Sequence, residues 1–331
     1  MKRVLGSWAR AAALGFLAPV LMLAGCGGPG NEAGTKRLSI ATGGTGGVYY
    51  PYGGGIAKVL TEHLPNVEAT AEVTAASVDN LKFLKQGTSD IAFSTADTAA
   101  DGVAGRDLFA EFGPVPVRTL AVLYTNAMHL VTVAGSGISS VADLRGKVVS
   151  VGAPGGGTAM FAERILAAAG IDPQRGIRSQ GLGVAQSVDA LKDGKVDAFF
   201  WGGGIPTAAI LDLVNAIGIT PHFVPLDDVL PALQQRYGES LYYPFLIPKG
   251  AYNLKQDVPA MAVTNVLVVS ETMPEALAHD ITRVLFEQQP VLATIHPQAK
   301  ELTLGSAVQG SPIPFHPGAI RYYRERGAWK D

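Results

Sequence analysis

The chain has 331 residues, of which 47% are hydrophobic and 16% are charged. Its 26 Lys and Arg residues nearly balance its 28 Asp and Glu residues, and no Lys/Arg run longer than two residues follows the N-terminal segment. This charge pattern argues against a nucleic-acid-binding protein. The length exceeds what one hydrophobic core usually spans, so we expect two lobes.

The N-terminus has the features of an export signal. Three basic residues among the first ten precede an apolar run from Ala11 to Ala24, which is too short for a comfortable membrane span. Residues 1–25 are therefore interpreted as a signal peptide. Cys26, the only cysteine, follows Leu-Ala-Gly in a way that resembles a bacterial lipobox, which implies an acylated first residue of the mature protein. An ordinary secretory signal with an incidental cysteine is the alternative. Residues 26–37 are predicted to be a flexible tether.

The next segment alternates short apolar strands with amphipathic helices. A strand over 38–41 runs into a glycine-rich loop, and a helix with four apolar residues at helical spacing follows it (Ile56, Val59, Leu60 and Leu64). A strand over 67–73 comes next. Ser77 is the predicted N-cap of a second helix that ends at Gly87, and 91–93 is a buried strand.

The second segment repeats this order. We predict a strand over 148–151, a glycine loop, a helix, a helix capped by Ser187 that ends at Gly194, and a strand over 198–200. Two apolar segments, 120–123 and 129–133, connect the halves, and 263–269 is a return strand. Pro274 opens a long helix, and a last helix begins at Ala319. Strands alternating with helices predict an α/β protein whose two lobes each hold a mainly parallel sheet flanked by helices.

Sequence similarity between the two halves supports an internal repeat. SIATGGTGGVYY corresponds to VSVGAPGGGTAM, and SVDNLKFLKQG to SVDALKDG, at an offset of about 110 positions. The pattern predicts two strand–glycine-loop–helix units, one per lobe. Chance similarity between common α/β patterns is the alternative.

The paired glycine loops predict an anion site. A helix start carries partial positive charge and free N–H groups, and glycines let an anion approach them closely. The favoured ligand is small and anionic, such as a carboxylate. Aromatic residues near the loops are candidate apolar walls: Tyr49, Tyr50, Phe199, Phe200 and Trp201. Phe199 is better explained as core and Trp201, beside three glycines, as pocket. Taken singly, each loop is also explained as an ordinary tight turn.

Other chemistries lack their motifs. The glycine loops match neither the dinucleotide-binding nor the phosphate-binding pattern, the six histidines show no metal-ligand spacing, and no serine lies in GxSxG. We therefore predict no catalytic residue, no metal and no cofactor. Asp90 and Asp197 are interpreted as turn or cap residues. Asp97 follows a strand end, where it can reach the cleft and accept hydrogen bonds from an ammonium or hydroxyl group.

Four segments carry a resemblance to a known family: GGTGGVYYPYGGGIAKVL, SVDNLKFLKQGTSDIAFSTAD, GAPGGGTAMFAERIL and GKVDAFFWGGG, together with the tail SPIPFHPGAIRYYRERG. They resemble the TAXI family, the extracytoplasmic solute receptors of one class of TRAP transporters, over residues 38–328. The resemblance implies a type II periplasmic-binding-protein fold with two crossovers and delivery of ligand to an ion-coupled permease. Family ligands include glutamate, glutamine and small dicarboxylates.

The resemblance also implies where the ligand binds. The implied site residues are Gly46, Gly47, Val48, Tyr49, Tyr50, Ser77, Asn80, Ser94, Asp97 and Thr158; Gly157 and Trp201 join them from the glycine-loop argument. Arg164 is the nearest candidate for a carboxylate clamp, and a solvent-exposed helix position is its alternative. We expect lobe I over 38–126 and 270–331, lobe II over 127–269, and a hinge near 125–130 and 265–271.

The sequence therefore predicts a non-enzymatic, lipid-anchored, periplasmic solute receptor that binds glutamate, glutamine, a dicarboxylate or a 2-oxo acid. Its partners would be that solute and the TRAP permease subunits. One alternative is a lipoprotein of the same fold with a sensory or adhesive role. The other is an enzyme with this bilobal fold, which the export signal and the missing catalytic pattern disfavour.

Overall fold

The computed structural model describes residues 34–330, and the predicted signal peptide and Cys26 lie outside them. In the described part, ten strands form one sheet in the order β2-β1-β3-β10-β4-β7-β5-β6, with β8 beside β4 and β9 beside β10. Their bounds are β1 Lys36–Ala41, β2 Val67–Glu72, β3 Ile91–Thr95, β4 Val117–Val133, β5 Val148–Ser150, β6 Arg178–Gln180, β7 Ala198–Gly203, β8 Pro221–Phe223, β9 Tyr243–Ile247 and β10 Val258–Ser270.

Ten α-helices of the described residues cover and connect this sheet. Their bounds are α1 Tyr49–His63, α2 Ser77–Gln86, α3 Ala96–Ala104, α4 Gly157–Ala168, α5 Val184–Lys192, α6 Ala208–Val214, α7 Leu230–Tyr237, α8 Glu275–Glu287, α9 Gln289–Ile295 and α10 Pro317–Glu325. The predicted α/β class is confirmed. No helix in residues 34–330 is long and apolar enough to cross a membrane.

The strand order has an internal symmetry. The first half of the structure contains β1 to β3, where β1 pairs in parallel with β2 and β3. The second half contains β5 to β7, where β5 pairs in parallel with β6 and β7. Between them, the long strands β4 and β10 pair antiparallel with each other and with β7 and β3. The chain therefore crosses between the halves twice, and both halves contain the predicted strand–glycine-loop–helix unit.

One pair of aspartates shows that the repeat reaches individual side chains. The Asp90 carboxylate accepts a hydrogen bond from the backbone N–H of Ser39 at 2.9 Å, and Asp197 accepts one from Val148 at 2.7 Å. Each aspartate precedes the last strand of its unit and fixes the first strand. Both are structural, as the sequence indicated.

The crossover strand is longer than predicted. Segments 120–123 and 129–133 were expected to be separate, but β4 runs without a break from Val117 to Val133. Polar Thr125 and Asn126 interrupt the apolar pattern between the two segments. The strand continues through them because β10 and then β7 supply its hydrogen bonds on either side.

The two helix-capping predictions are wrong. Ser77 is the first residue of α2, after Ala76, and its hydroxyl accepts a hydrogen bond from the backbone N–H of Thr95 at 3.1 Å. Ser187 lies inside α5, which already begins at Val184, and its hydroxyl contacts that of Ser150 at 2.8 Å. Both hydroxyls tie a helix to its neighbouring strand or strand end.

Other boundaries shift by a few residues. β1 begins at Lys36, so its first two residues belong to the sheet and not to the predicted tether. α10 begins at Pro317 rather than Ala319, with the His316 side chain as its cap. Residues 35–330 belong to one compact unit, and the predicted lobe boundaries and hinge stay predictions.

Candidate functional site

A cavity of about 340 Å³ lies between the two halves. Helices α1 and α2 begin at its edge in the first half, and α4 and α5 begin there in the second. Strand β4 crosses beneath it. Eight predicted site residues line this cavity: Gly46, Gly47, Val48, Tyr49, Ser77, Gly157, Thr158 and Trp201.

The glycines let the two halves approach closely. A Cβ atom added to Gly47 would lie 3.0 Å from the ring of Trp201, and one added to Gly157 would lie 2.7 Å from the hydroxyl oxygen of Ser77. Both distances are shorter than ordinary van der Waals contacts, so a side chain at either position would displace the Trp201 ring or the Ser77 hydroxyl. The two loops are thus built for contact across the cavity, which the sequence could not show.

The start of α2 is occupied by the protein itself. The backbone N–H groups of Val78 and Asp79 donate to the carbonyl oxygen of Gly155 at 3.0 and 3.1 Å. Gly155 adopts a left-handed backbone with φ of +81°, which glycine allows without strain. This helix start therefore holds the opposite loop rather than offering its N–H groups to a ligand.

The other three helix starts are free. In the described part of the chain, the N–H groups of the first three residues of α1, α4 and α5 that carry one have no hydrogen-bond partner; at α5 the Gln186 side chain accepts only from Gly183, which precedes the helix, at 3.2 Å. Unpaired N–H groups at a helix start attract anions through hydrogen bonding and the helix dipole. The cavity therefore concentrates partial positive charge from both halves.

The polar side chains on the wall are held in place. The Thr158 hydroxyl accepts a hydrogen bond from the N–H of Gly202 at 3.2 Å. The indole N–H of Trp201 donates to the hydroxyl of Thr207 at 2.9 Å. The hydroxyl of Tyr49 donates to Asn265 on β10 at 2.5 Å, and burial raises the pKa of Tyr49 above its ordinary value.

Asn126 and Tyr124 are among the wall residues that sequence reasoning missed. Asn126, in the middle of β4, is only 3% exposed, and its side chain makes no hydrogen bond within residues 34–330. Tyr124, also on β4, is 3% exposed and its hydroxyl has no partner in the same range. The signal available was a polar residue inside an otherwise apolar run. Buried polar groups normally have partners, so the Asn126 amide, which lines the cavity, suits a bound molecule, whereas the Tyr124 hydroxyl is closed off from the cavity.

Four predicted residues lie away from the cavity wall: Tyr50, Asn80, Ser94 and Asp97. Tyr50 is half-buried on the first turn of α1 and does not line the cavity. The hydroxyl of buried Ser94 donates to the backbone carbonyl of Thr95 at 3.0 Å. Both were placed in the site by resemblance, and a direct contact between either side chain and a ligand stays a prediction.

Asn80 supports the site from behind. Its buried amide donates to the carbonyl oxygens of Ala41, Thr42 and Phe93 at 3.2, 2.7 and 2.9 Å. These carbonyls lie at the ends of β1 and β3, from which the cavity loops depart. Asn80 therefore positions the loops, and its own hydrogen-bonding capacity is used by the protein.

Asp97 and Arg164 belong to a buried cluster. The Tyr242 hydroxyl donates to Asp97 at 2.7 Å and accepts from Arg164 at 2.8 Å. Arg164 also pairs with Asp101, and with Asp107 at 2.5 Å. Asp97 therefore faces Tyr242 rather than the cleft. Arg164, 5% exposed, is neither the expected clamp nor a solvent-exposed residue.

This cluster joins the two halves of the chain. Asp97 and Asp101 lie on α3, which follows β3, whereas Arg164 lies on α4, which follows β5. Burial raises the pKa of the Asp101 carboxyl, against the opposing effect of Arg164. The guanidinium compensates carboxylates that the interior would otherwise keep protonated.

A buried histidine lies behind the wall. His129 makes contacts of 3.1 Å from Nδ1 to the carbonyl oxygens of Ala127 and Trp201. Burial lowers the pKa of His129 to about 4, so the imidazole is neutral at physiological pH. A neutral ring with Nδ1–H donating to carbonyls fixes the backbone of Trp201.

No charged side chain lines the cavity among the residues that the structure describes. Over the same residues, no group of three or more His, Cys, Asp or Glu side chains could hold a metal ion. The cavity combines helix-start N–H groups, neutral polar side chains and an apolar wall. Such a site can bind a small molecule through its shape, its hydrogen-bonding groups and the helix dipoles.

Residues 40–327 match the NMT1-like family, and the chain belongs to it. Solved structures similar to this chain include the periplasmic aliphatic sulphonate binding protein SsuA from Escherichia coli, at 17% identity over 88% of this chain and 83% of that chain, with a TM-score of 0.47. The alkanesulfonate-binding protein SsuA from Xanthomonas axonopodis pv. citri bound to MOPS is 16% identical over 87% of this chain and 83% of that chain, with a TM-score of 0.45. An ancestral arginine-binding protein bound to arginine is 14% identical over 79% of this chain and 97% of that chain, with a TM-score of 0.49.

Proposed function

We propose that the protein is a non-catalytic, extracytoplasmic solute receptor that binds a small organic anion between its two halves. The observation that carries this proposal is the cavity itself, where three helix starts with unpaired N–H groups converge. An anion there would contact both halves at once. Among the residues that the structure describes, the cavity wall carries no acidic or basic side chain beside its hydroxyl groups.

The mechanism is closure over the solute. Gly46 and Gly47 lie on one side of the cavity, and residues of α5 and β7 face them across it. A ligand that contacts both sides stabilises this closed arrangement by its difference in affinity for the closed and open forms. The Gly155 contacts with α2 join the two halves beside the cavity.

We propose a TRAP transporter of the TAXI type as the system that this receptor serves. The support is the sequence resemblance over residues 38–328, which implies an ion-coupled permease as the partner. The same resemblance gives glutamate, glutamine and small dicarboxylates as solutes, and we add 2-oxo acids to this range. Cys26, by its lipobox-like context, would anchor the receptor to a bacterial membrane on the periplasmic side.

Ligand binding is tested by thermal unfolding of the purified protein with amino acids, dicarboxylates and 2-oxo acids. A ligand at a hundredfold excess over Kd stabilises the native state by about 2.7 kcal/mol, which a melting curve resolves. Mass spectrometry of the denatured protein detects a solute retained through purification. A protein that shifts with no acid and releases none would contradict the proposal.

The location of the site is tested by substitution. We expect Ser77→Ala and Thr158→Ala to weaken binding about three- to tenfold, because each hydroxyl holds a wall segment by one hydrogen bond. Thr294→Ala, on an exposed turn of α9, is the matched control. Calorimetry that finds unchanged affinity in both site variants would place the ligand elsewhere.

The transporter assignment has its own test. Co-expression with TRAP permease subunits and transport of radiolabelled solute into vesicles should require both the receptor and an ion gradient. Uptake that needs ATP and no ion gradient would contradict the TRAP assignment while leaving the receptor function intact. Cys26→Ala should release the protein from the membrane fraction if the cysteine carries the anchor.

A further inference from the structure

We infer that the solute is a 2-oxo or 2-hydroxy monocarboxylic acid with an apolar side chain, and not an amino acid or a dicarboxylate. This inference rests on the proposed receptor function and narrows its ligand class. It follows from which charges the cavity wall can and cannot compensate.

The first argument concerns the ammonium group of an amino acid. A buried ammonium needs a carboxylate partner, and the described wall of the cavity contains no acidic side chain. Asp97 is the acidic residue that the sequence placed at the cleft. Its carboxylate accepts from the Tyr242 hydroxyl at 2.7 Å and from the Thr98 N–H at 2.7 Å, so it is already engaged away from the wall.

The second argument concerns the carboxylate. The free N–H groups at the starts of α1, α4 and α5 stabilise one negative charge without any cationic side chain. A second carboxylate would need similar compensation at the opposite end of the ligand. Beside these helix starts the wall carries Val73, Leu182 and Trp201 and no charged side chain, which suits an apolar side chain rather than a second carboxylate.

The third argument concerns the polar group next to the carboxylate. Asn126 is only 3% exposed and lines the cavity. Its side chain has no hydrogen-bond partner in residues 34–330. Its amide can donate to a carbonyl oxygen or accept from a hydroxyl. A neutral oxygen on C2 of the ligand satisfies this amide.

The test compares matched ligand pairs by calorimetry with the full chain. The pairs are 4-methyl-2-oxopentanoate with leucine, phenylpyruvate with phenylalanine, and 2-oxoglutarate with glutamate. We expect the first two oxo acids to bind about 100-fold or more tightly than their amino acids, where each tenfold corresponds to about 1.4 kcal/mol. We also expect 2-oxoglutarate to bind more weakly than either apolar oxo acid.

The outcomes separate the inference from the proposed function. Leucine, phenylalanine or glutamate binding as tightly as its oxo acid would overturn the inference and leave a receptor for small acids. Tightest binding of 2-oxoglutarate would overturn the monocarboxylate part. Failure of every acid to bind, with none retained through purification, would instead overturn the proposed receptor function.

A variant tests the role of Asn126 directly. Asn126→Asp keeps the size of the side chain and adds to the wall a carboxylate that could pair with an ammonium group. We expect it to weaken 4-methyl-2-oxopentanoate binding by about 100-fold and to bring the affinity for leucine level with it or above it. Asn253→Asp makes the same change at an exposed position outside the cavity and should leave the preference unaltered. An unaltered preference in Asn126→Asp that still unfolds cooperatively would also overturn the inference.

Discussion

The carbonyl oxygen of Gly155 accepts a hydrogen bond from the backbone N–H of Val78 at 3.0 Å, so a loop of the second half caps a helix of the first. Asp79 makes the same contact at 3.1 Å. The start of α2 is thus used to hold the halves together. Ligand binding and closure share one surface, because the neighbouring Gly157 and Ser77 line the cavity.

Gly155→Ala should therefore weaken ligand binding as well as stability. A non-glycine residue at φ of +81° costs about 1–2 kcal/mol, and the added Cβ would lie 2.6 Å from the Asp79 carboxyl carbon. Moving the loop to relieve this contact breaks the bonds to α2. We expect an affinity loss of about tenfold or more by calorimetry, beside a lower unfolding temperature.

Gly194→Ala separates the two effects. Gly194 also has a left-handed backbone, with φ of +66°, but a Cβ there would meet no atom within 4 Å. This control should lose about the same 1–2 kcal/mol of stability and retain full affinity. Equal affinity losses in both variants would mean that the Gly155 contact has no specific part in closure.

Arg164→Met should destabilise the protein strongly. Removing the guanidinium leaves Asp97 and Asp101 buried beside each other without a cation, which typically costs about 3–5 kcal/mol. Urea unfolding measures the loss. Arg283→Met, which breaks an exposed pair with Glu287 on α8, should cost no more than about 0.5 kcal/mol. A small loss in Arg164→Met would show that the cluster contributes little to joining the halves.

The sequence predicted the elements that local signals define. The start of the glycine-rich loop after β1, the apolar face of α1 and the end of α2 at Gly87 all depend on residues close together in the chain. Glycine at +71° ends α2 because only a left-handed residue satisfies its last carbonyl groups. Such signals need no knowledge of the partner half.

The wall residues depend on distant contacts and were harder to predict. Asn126 looked like a break between two strands, since nothing nearby in the sequence shows that β7 and β10 flank it. Arg164 looked exposed because its partners on α3 lie more than fifty residues away. Resemblance placed Asp97 in the site, but the Tyr242 hydroxyl takes its carboxylate.

His129 should make stability depend on pH. Burial lowers its pKa to about 4 in the native state, against about 6.5 in the unfolded chain. Between these values the unfolded chain binds one more proton, so stability falls as pH decreases from about 6.5 to 4, by up to about 3 kcal/mol. Above pH 6.5 His129 is neutral in both states, so this loss of stability is absent.

The measurement is the free energy of unfolding at several pH values for the natural protein and for His129→Gln. The stability of the natural protein relative to His129→Gln should decrease as the pH falls from about 6.5 to 4. It should stay constant above pH 6.5. His222→Gln, at an exposed position, should leave the curve unchanged in shape. Parallel curves for the natural protein and His129→Gln would show that the pKa of His129 is the same in the native and unfolded states.

Asp90→Ala and Asp197→Ala should destabilise the protein by similar amounts, because the two carboxylates have the same role in the two repeats. Each accepts from a backbone N–H of the first strand of its unit, Ser39 or Val148. Losing a charged acceptor and leaving that N–H unpaired costs about 1–3 kcal/mol. The costs should add in the double variant, since the sites lie in different halves.

Asp193→Ala is the control for this pair. Its carboxylate pairs only with exposed Lys195 in the hydrogen bonds described, so its loss should cost no more than about 1 kcal/mol. Chemical unfolding of the four variants gives all the comparisons. A large cost at Asp90 with none at Asp197, or the reverse, would contradict the equivalence. Equal and additive costs would mean that the repeat seen in the sequence is also a repeat of the interactions that hold each sheet half together.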